Sequence, residues 1–279
     1  MILEYAVPAP HLRSKISVHA HVSAVVRDHV EVLPAMLPNL HIRLSGASHY
    51  TFGDGCRIAS PRVSLIGPTF AAYSIEMEPG FSMACVGLLP RGWLALMGVP
   101  AFEMRDTVTD GDSIWGHRTV DALCDALLEA RSPRQRMLRL ERFLANRMTS
   151  PERRAADPIA AIDDWLETSP DLDLDVLSRT LDVGPRHLRR LTQRTHGASP
   201  KTLAMKYRSL RAAATLALDG ERSLDLILPY ADQSHMIRDF RRFVGWTPAA
   251  FVEGAHNVAA STLRGRRLAG ASRALTLLS

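Results

Sequence analysis

Residues 172–203, LDLDVLSRTLDVGPRHLRRLTQRTHGASPKTL, decide how the C-terminal half folds. Leu174, Leu177 and Leu181 recur at helical spacing and predict a short helix from Leu172 to Leu181. Asp182-Val183-Gly184 is a tight turn, and Pro185 suits the first position of a second helix, where its missing N–H costs nothing. On that second helix Leu188, Leu191 and Thr195 share one face. Arg186, Arg189 and Gln193 share the opposite one at i, i+3 and i+7, flanked by Arg190 and Arg194. Arginine and glutamine bond bidentately to guanine and adenine edges. The stretch therefore predicts a helix-turn-helix whose second helix is equipped to read a major groove.

The charge pattern on either side agrees. Asp157 to Asp182 holds eight acidic residues and one basic, whereas Val183 to Leu218 holds no acid and eight positive charges: Arg186, Arg189, Arg190, Arg194, Lys201, Lys206, Arg208 and Arg211. A solvated helix face mixes signs, so a one-sign run beside a good apolar stripe points to a polyanion surface. A third helix is predicted from Pro200 to Leu218, with Leu203, Tyr207, Leu210, Ala214 and Ala217 on one stripe. A second unit follows: Ser223 to Leu228, the turn Pro229-Tyr230-Ala231-Asp232, then a helix from Gln233 to Phe243. That helix buries Met236, Phe240 and Phe243 and presents Gln233, Ser234, Ile237, Arg238 and Arg241.

Taken with YADQSHMIRDFRRFVGWTPAAF (230–251), these residues resemble the DNA-binding domain of AraC/XylS-type transcription regulators, in which two helix-turn-helix units are joined by a linker helix. The resemblance spans Ile159 to Glu253, and DQSHMIRDFRR closed by Gly245-Trp246-Thr247-Pro248 is its most specific element. It implies that Arg186, Arg189 and Arg190 of the first recognition helix, and Gln233, Ser234 and Arg238 of the second, reach DNA. With the flanking Gln193, Arg194, Lys201 and Arg241 they form the expected contact set. Three departures stand out. Gly184 replaces a capping serine, Thr192 replaces a large aromatic, and SLDLILPYADQSH (223–235) is about three residues short, with Pro229 where a glycine turns. The first two imply a looser first unit, and the third a supporting helix of little more than one turn, since Pro229 pushes Leu228 out of helical geometry.

Before residue 115 the period is two. Ile16, Val18, Ala20 and Val22 alternate with Ser17, His19, His21 and Ser23, and Leu40, Ile42 and Leu44 alternate with His41, Arg43 and Ser45. Further strands are expected at 62–66, 73–77 and 83–88, with turns at Gly53-Asp54-Gly55 and Pro79-Gly80. The fold class that follows is α+β: an antiparallel sandwich or barrel, a helical hairpin from His117 to Met148 capped in its second helix by Ser132-Pro133, then an all-α double helix-turn-helix domain. CVGLLPRGWLALMGVPAFEMRDTV (85–108) resembles the cupin-like sensor portion of some regulators of the same family, which implies an unidentified small-molecule or nucleotide effector. By the same resemblance the helical pair serves a homodimer, and RNA polymerase is a partner if the protein activates. The polar, proline-bounded stretch 149–158 marks the border: 1–150 a β-rich effector or dimerisation domain, 151–157 a linker, 158–253 the DNA-binding domain, and 254–279, with four arginines and no acid, a basic tail that reads as a frayed terminus in preference to a phosphate-contacting arm.

Across 279 residues, 46% hydrophobic and 23% charged, with mean hydropathy near zero, the composition excludes disorder throughout and a fibrous fold. The longest uncharged apolar stretch, Phe81 to Pro90, is too short to span a membrane. The first ten residues, with Glu4, Pro8 and Pro10, do not read as a signal peptide, so a cytoplasmic protein without a membrane partner is expected. Cys56, Cys85 and Cys124 are widely spaced and are expected to be reduced and buried. Net charge is +5 and pI about 9.4, which favours an anionic partner.

His19 and His21 share one strand face, a reasonable start for a metal site, but a cupin centre also wants a nearby glutamate where Val25 and Val26 stand, so no metal or cofactor is expected. Arg43, Tyr50, Arg62 and Trp93 are candidates to line a polar pocket. No nucleophile elbow, phosphate loop, HExxH or paired-carboxylate motif is present. The alternative from another class is a metal-dependent cupin-type enzyme with a helical partner module.

Overall fold

In the computed structural model the described residues are 2–23, 29–53, 55–149, 157–219, 233–254 and 258–268. Among these described residues ten strands form two antiparallel sheets. The first has six strands in the order β1-β2-β9-β4-β7-β10: Ile2–Ala6, Ile16–Ser23, Ser82–Leu88, Asn39–Ser45, Val63–Ile66 and Val108–Asp110. The second has four, in the order β3-β8-β5-β6: His29–Leu33, Tyr73–Met77, Ser48–Thr51 and Arg57–Ala59. Val22, Met83 and Cys85 from the first sheet meet Tyr50, Tyr73, Ile75 and Met77 from the second, which makes this half a sandwich.

The outer face of the larger sheet is covered as well. Helices α1 (Pro90–Met97), α2 (Gly111–Trp115), α3 (His117–Leu128) and α4 (Pro133–Ala145) lie over it, and Leu123, Leu127, Leu140 and Leu144 pack on Leu40, Ile42, Leu65, Val86 and Leu88. The strands β2 and β4, whose period of two predicts only one buried face, are therefore largely buried on both. Their alternating polar residues sit in a dry layer and need partners. His41 Nδ1 is 2.9 Å from Tyr50 Oη, Asn39 Nδ2 donates to the Leu37 carbonyl at 2.7 Å, and Ser64 Oγ to that of Pro61 at 3.1 Å. Burial holds His41 neutral, with its pKa pushed down to about 4.

Helices α1 and α2 interrupt a region read as mostly strands. Their punctuation is nonetheless in the chain: Pro90 opens α1, Gly98 closes it at φ 68°, and the Asp110 carboxylate caps α2. The hairpin α3–α4 lies where expected, and Ser132 Oγ accepts from the Gln135 N–H as its cap. Of the cysteines, Cys85 and Cys124 are buried, but Cys56 is exposed on the β5–β6 connection.

The C-terminal half comprises α5 (Pro158–Thr168), α6 (Leu174–Leu181), α7 (Pro185–His196), α8 (Pro200–Asp219), α9 (Gln233–Val244), α10 (Pro248–Glu253) and α11 (Val258–Leu268). Helix α6 starts two residues later than the leucine pattern predicts, because the Asp173 carboxylate caps it through the Asp175 N–H; Leu172 precedes that cap at φ 50°. The stretch read as a frayed tail forms α11 over residues 258–268, which packs against α8 and β1. The linker residues 150–156, the supporting segment of the second unit with Pro229, and 269–279 lie outside the described residues.

The two halves share a core. Ala35, Leu37, Phe70 and Leu89 belong to the cluster built on Trp165, Tyr207, Phe240 and Phe251. Backbone hydrogen bonds cross the junction: the Ala35 N–H to the Phe243 carbonyl at 2.7 Å and the Ala72 N–H to the Arg242 carbonyl at 2.8 Å. Arg242 Nε also donates to the Phe70 carbonyl at 3.1 Å.

Candidate nucleic-acid interface and cavities

The turn between α6 and α7 is set by Asp182, which takes the left-handed conformation at φ 51°, and by Gly184, which stands extended as an N-cap without a side-chain acceptor. Beneath α7, Leu188 is 3% exposed and Thr192 fully buried, its Oγ1 returned to the Arg189 carbonyl at 3.1 Å. A threonine fits where the family resemblance leads one to expect an aromatic because the hydroxyl is satisfied within its own helix. His196 at the helix end accounts for the rest of the anchoring, with Nε2 2.9 Å from Asp163 Oδ1 and Nδ1 2.7 Å from Thr195 Oγ1.

That anchoring leaves one face of α7 in solvent. Arg186, Arg189, Arg190 and Arg194 are exposed and Gln193 is half-buried; Arg186, Arg189, Arg190 and Gln193 line an open concavity of about 650 Å³ together with His187, which the sequence reading did not single out. Lys201 is exposed at the start of α8. The geometry thus groups four of the five residues chosen on α7, with Arg194 exposed outside the concavity and Lys201 apart at the next helix.

The basic run from Val183 to Leu218, expected to form one polyanion surface, is not a single surface. Lys206 is 2% exposed, and Arg208 and Arg211 turn inward. Arg208 bonds the Asp171 carbonyl; Arg211 reaches the Ser169 carbonyl at 2.6 Å and that of Leu166, closing the C-terminal end of α5. Five of the eight charges remain outward; Arg208 and Arg211 tie segments of the helical half together, and Lys206 bonds to the sandwich. A signal existed at Lys206, since it lies three residues after Leu203 and four before Leu210, on the buried stripe.

On α9, Ser234, Arg238 and Arg241 are exposed and Ile237 is 38% exposed, while Met236, Phe240 and Phe243 are buried as the spacing predicts. Gln233 opens the helix, and its side chain lies outside the described residues. The C-terminal end of α9 is the part bound to the sandwich through Arg242 and Phe243.

Two cavities matter on the sandwich side. One, of about 90 Å³, lies between the halves, walled by Val18, Val22, Leu33 and Met77 on one side and by Leu210, Val244, Phe251 and Arg266 on the other. The other, of about 370 Å³, lies on the outer side of β1 and β2 under the first turns of α4. Tyr5 borders both, and its Oη donates to Thr262 Oγ1 on α11 at 2.9 Å.

Arg43, Tyr50, Arg62 and Trp93 do not converge on either. Tyr50 and Trp93 are fully buried in different cores, Arg43 Nη1 donates to the Gly46 carbonyl at 2.7 Å, and Arg62 pairs with Asp121 at 3.0 Å. His19 Nε2 is 3.0 Å from Glu141 Oε1, and His21 contacts Ser82 Oγ at 3.2 Å and Glu4 at 3.5 Å. Burial holds both imidazoles below their ordinary pKa, for His19 against the opposing pull of Glu141. Among the described residues no three His, Cys, Asp or Glu side chains come together as a metal set, and no helix is long and apolar enough to cross a membrane.

Residues 177–254 match a helix-turn-helix domain family. No curated protein matches the chain. Among solved structures, ToxT from Vibrio cholerae aligns over 84% of this chain and 98% of its own, with 9% identity and a TM-score of 0.47. ToxT with a bound unsaturated fatty acid aligns over 83% and 94%, with 8% identity and a TM-score of 0.47. The AraC-like transcriptional activator CuxR aligns over 76% and 87%, with 14% identity and a TM-score of 0.29.

Proposed function

We propose that this chain, whose residues 177–254 are a helix-turn-helix domain, is a sequence-specific DNA-binding transcription regulator of the AraC/XylS type whose β sandwich responds to a small molecule. The observation that carries the reading is the α7 face: Arg186, Arg189, Arg190 and Gln193 line one open concavity on a helix held rigidly from behind by Leu188, Thr192 and His196. Base edges in a major groove are read by side chains of this kind projecting from an anchored helix. Arg186 and Arg189 read bases, whereas Arg190, Arg194 and Lys201 hold phosphates. Ser234, Arg238 and Arg241 on α9 supply the second groove contact, with Gln233 at its start.

The junction supports regulation. The end of α9 and the middle of α8 are both bonded to sandwich loops at 35–36 and 69–72, so whatever shifts those loops shifts the reading helices. Selection of bound duplexes from a random pool tests the reading. A two-part site with spacing of roughly one helical turn, about 34 Å, and a steep fall of affinity with salt are expected. Recovery of no preferred sequence overturns it. A metal-dependent enzyme finds no support in the site chemistry, because His19 and His21 are engaged with Glu141, Ser82 and Glu4.

A further inference from the structure

The 370 Å³ crevice between β1, β2 and the start of α4 has a chemistry that DNA reading does not use. Its floor is apolar, made by Ala20, Ala84, Met137 and Leu140, and Arg134 and Arg136 stand along one rim. Arg136 is half-buried, and Nε donates to the Leu127 carbonyl at 3.3 Å, which fixes the guanidinium plane. Its charge bears on His21, where it acts with burial to disfavour a protonated imidazole. Both arginines lie in the first turn of α4, which has no acidic residue. Cations at that end of a helix oppose its macrodipole, so the arrangement is one that a bound anion relieves. The size falls within the range of small-molecule sites, mostly apolar with a few convergent polar groups.

We propose that this crevice binds an organic acid, with the carboxylate on Arg136, Arg134 at the mouth, and the apolar body over Met137 and Leu140. Glu4, on the opposite rim and 3.5 Å from His21, repels a second negative charge and so selects a monoanion with its acid group turned to α4. The site carries its own route to the helical half. Tyr5 forms part of the crevice wall and is bonded to Thr262, and Glu141 on α4 accepts from both His19 and the Ala9 N–H at 2.8 Å, so both walls are held in register. This names the ligand class for the sensing role proposed above, and it is measurable without DNA.

Phenylacetate and its neutral near-isostere phenylacetamide are the probes, titrated calorimetrically into the full chain. Phenylacetate is expected to bind and the amide to bind at least tenfold more weakly. Arg136→Gln is expected to weaken the acid by about tenfold to a hundredfold, as for loss of a hydrogen bond to a charged group, and to leave the amide unchanged. Glu4→Gln is expected to tighten the acid by about two- to fivefold. Leu33→Phe, which narrows the other cavity, is expected to change nothing, and melting curves verify that each variant folds. Equal binding of acid and amide, no binding of either, unchanged binding in Arg136→Gln, or loss in Leu33→Phe overturns the proposal. If DNA selection fails while this pattern holds, the regulatory reading falls and the site stands.

Discussion

Lys206 Nζ lies 2.7 Å from the Met36 carbonyl oxygen and 2.9 Å from that of Thr69, so a side chain of the linker helix α8 is the bolt between the helical half and the sandwich. The ammonium also faces the Phe70 ring at 4.8 Å, and the charge acting on it is that of Asp106. Burial outweighs that pull and brings the pKa down to about 7. A neutral amine has two N–H groups, which suffices for the two carbonyls.

Stability should therefore depend on pH in a defined direction. The unfolded chain keeps this proton up to its ordinary value near 10.5, and the folded chain releases it near 7, so stability rises with pH above about 7. The slope from this group approaches about 1.4 kcal/mol per pH unit. Cys85, raised to about 12 by burial, acts oppositely once an unfolded thiol ionises near 9, which confines the clean window to about pH 7–8.5. Urea unfolding across that window should show the rise in the wild type and its absence in Lys206→Met. A flat wild-type profile contradicts the assignment.

Gly245 ends α9 at φ 90°, and a Cβ there would lie 2.5 Å from Val32 Cγ1 and 3.0 Å from Ala72 Cβ. Gly245→Ala is expected to cost about 1–3 kcal/mol from strain, with further loss as the end of α9 lifts off the sandwich. Hydrogen exchange should quicken at the Ala35 and Ala72 amides, which bond to that helix end. Unchanged protection there would mean that the contact yields without opening.

Arg189→Ala is expected to lower affinity for the preferred duplex by about 1–3 kcal/mol and relax specificity at one position. Lys201→Ala should weaken all duplexes alike and reduce the salt slope by about one. Matching losses on specific and random DNA in both variants would remove the division of roles.

The border at 149–158 predicts that limited proteolysis nicks within that stretch. Because Ala35, Phe70 and Leu89 share a core with the helices, the two fragments should co-elute until denaturant is added. Immediate separation would show that the junction is weaker than its packing.

Helices α6 and α7 were legible in the sequence because their apolar spacing, turn and charge all point the same way. Leu188 and Thr195 are buried and Arg189 exposed, as the period requires. What escaped is tertiary. Lys206 counts as a surface cation in any charge tally until the carbonyls of Met36 and Thr69, over a hundred residues away in the chain, supply its partners. Likewise the two-faced burial of β2 and β4 depends on helices arriving later, which a period-two pattern does not announce. The residues of α11 look like a basic tail because the surface that receives them, β1 with Tyr5, lies at the other end of the sequence. The crevice beside Arg136 was invisible for the same reason: its walls come from four separate segments.

Tyr5 and Thr262 are 257 residues apart along the chain and joined by one hydrogen bond. During synthesis the segment that carries Tyr5 is made long before the helix that covers it, and the bond waits for the 257 residues between them to be added. Contacts of such separation carry a large loop-closure cost and form late. Thr262, Leu263 and Arg266 of that helix wall the 90 Å³ cavity between the halves, so the side of the sandwich behind Tyr5 stays uncovered until α11 docks.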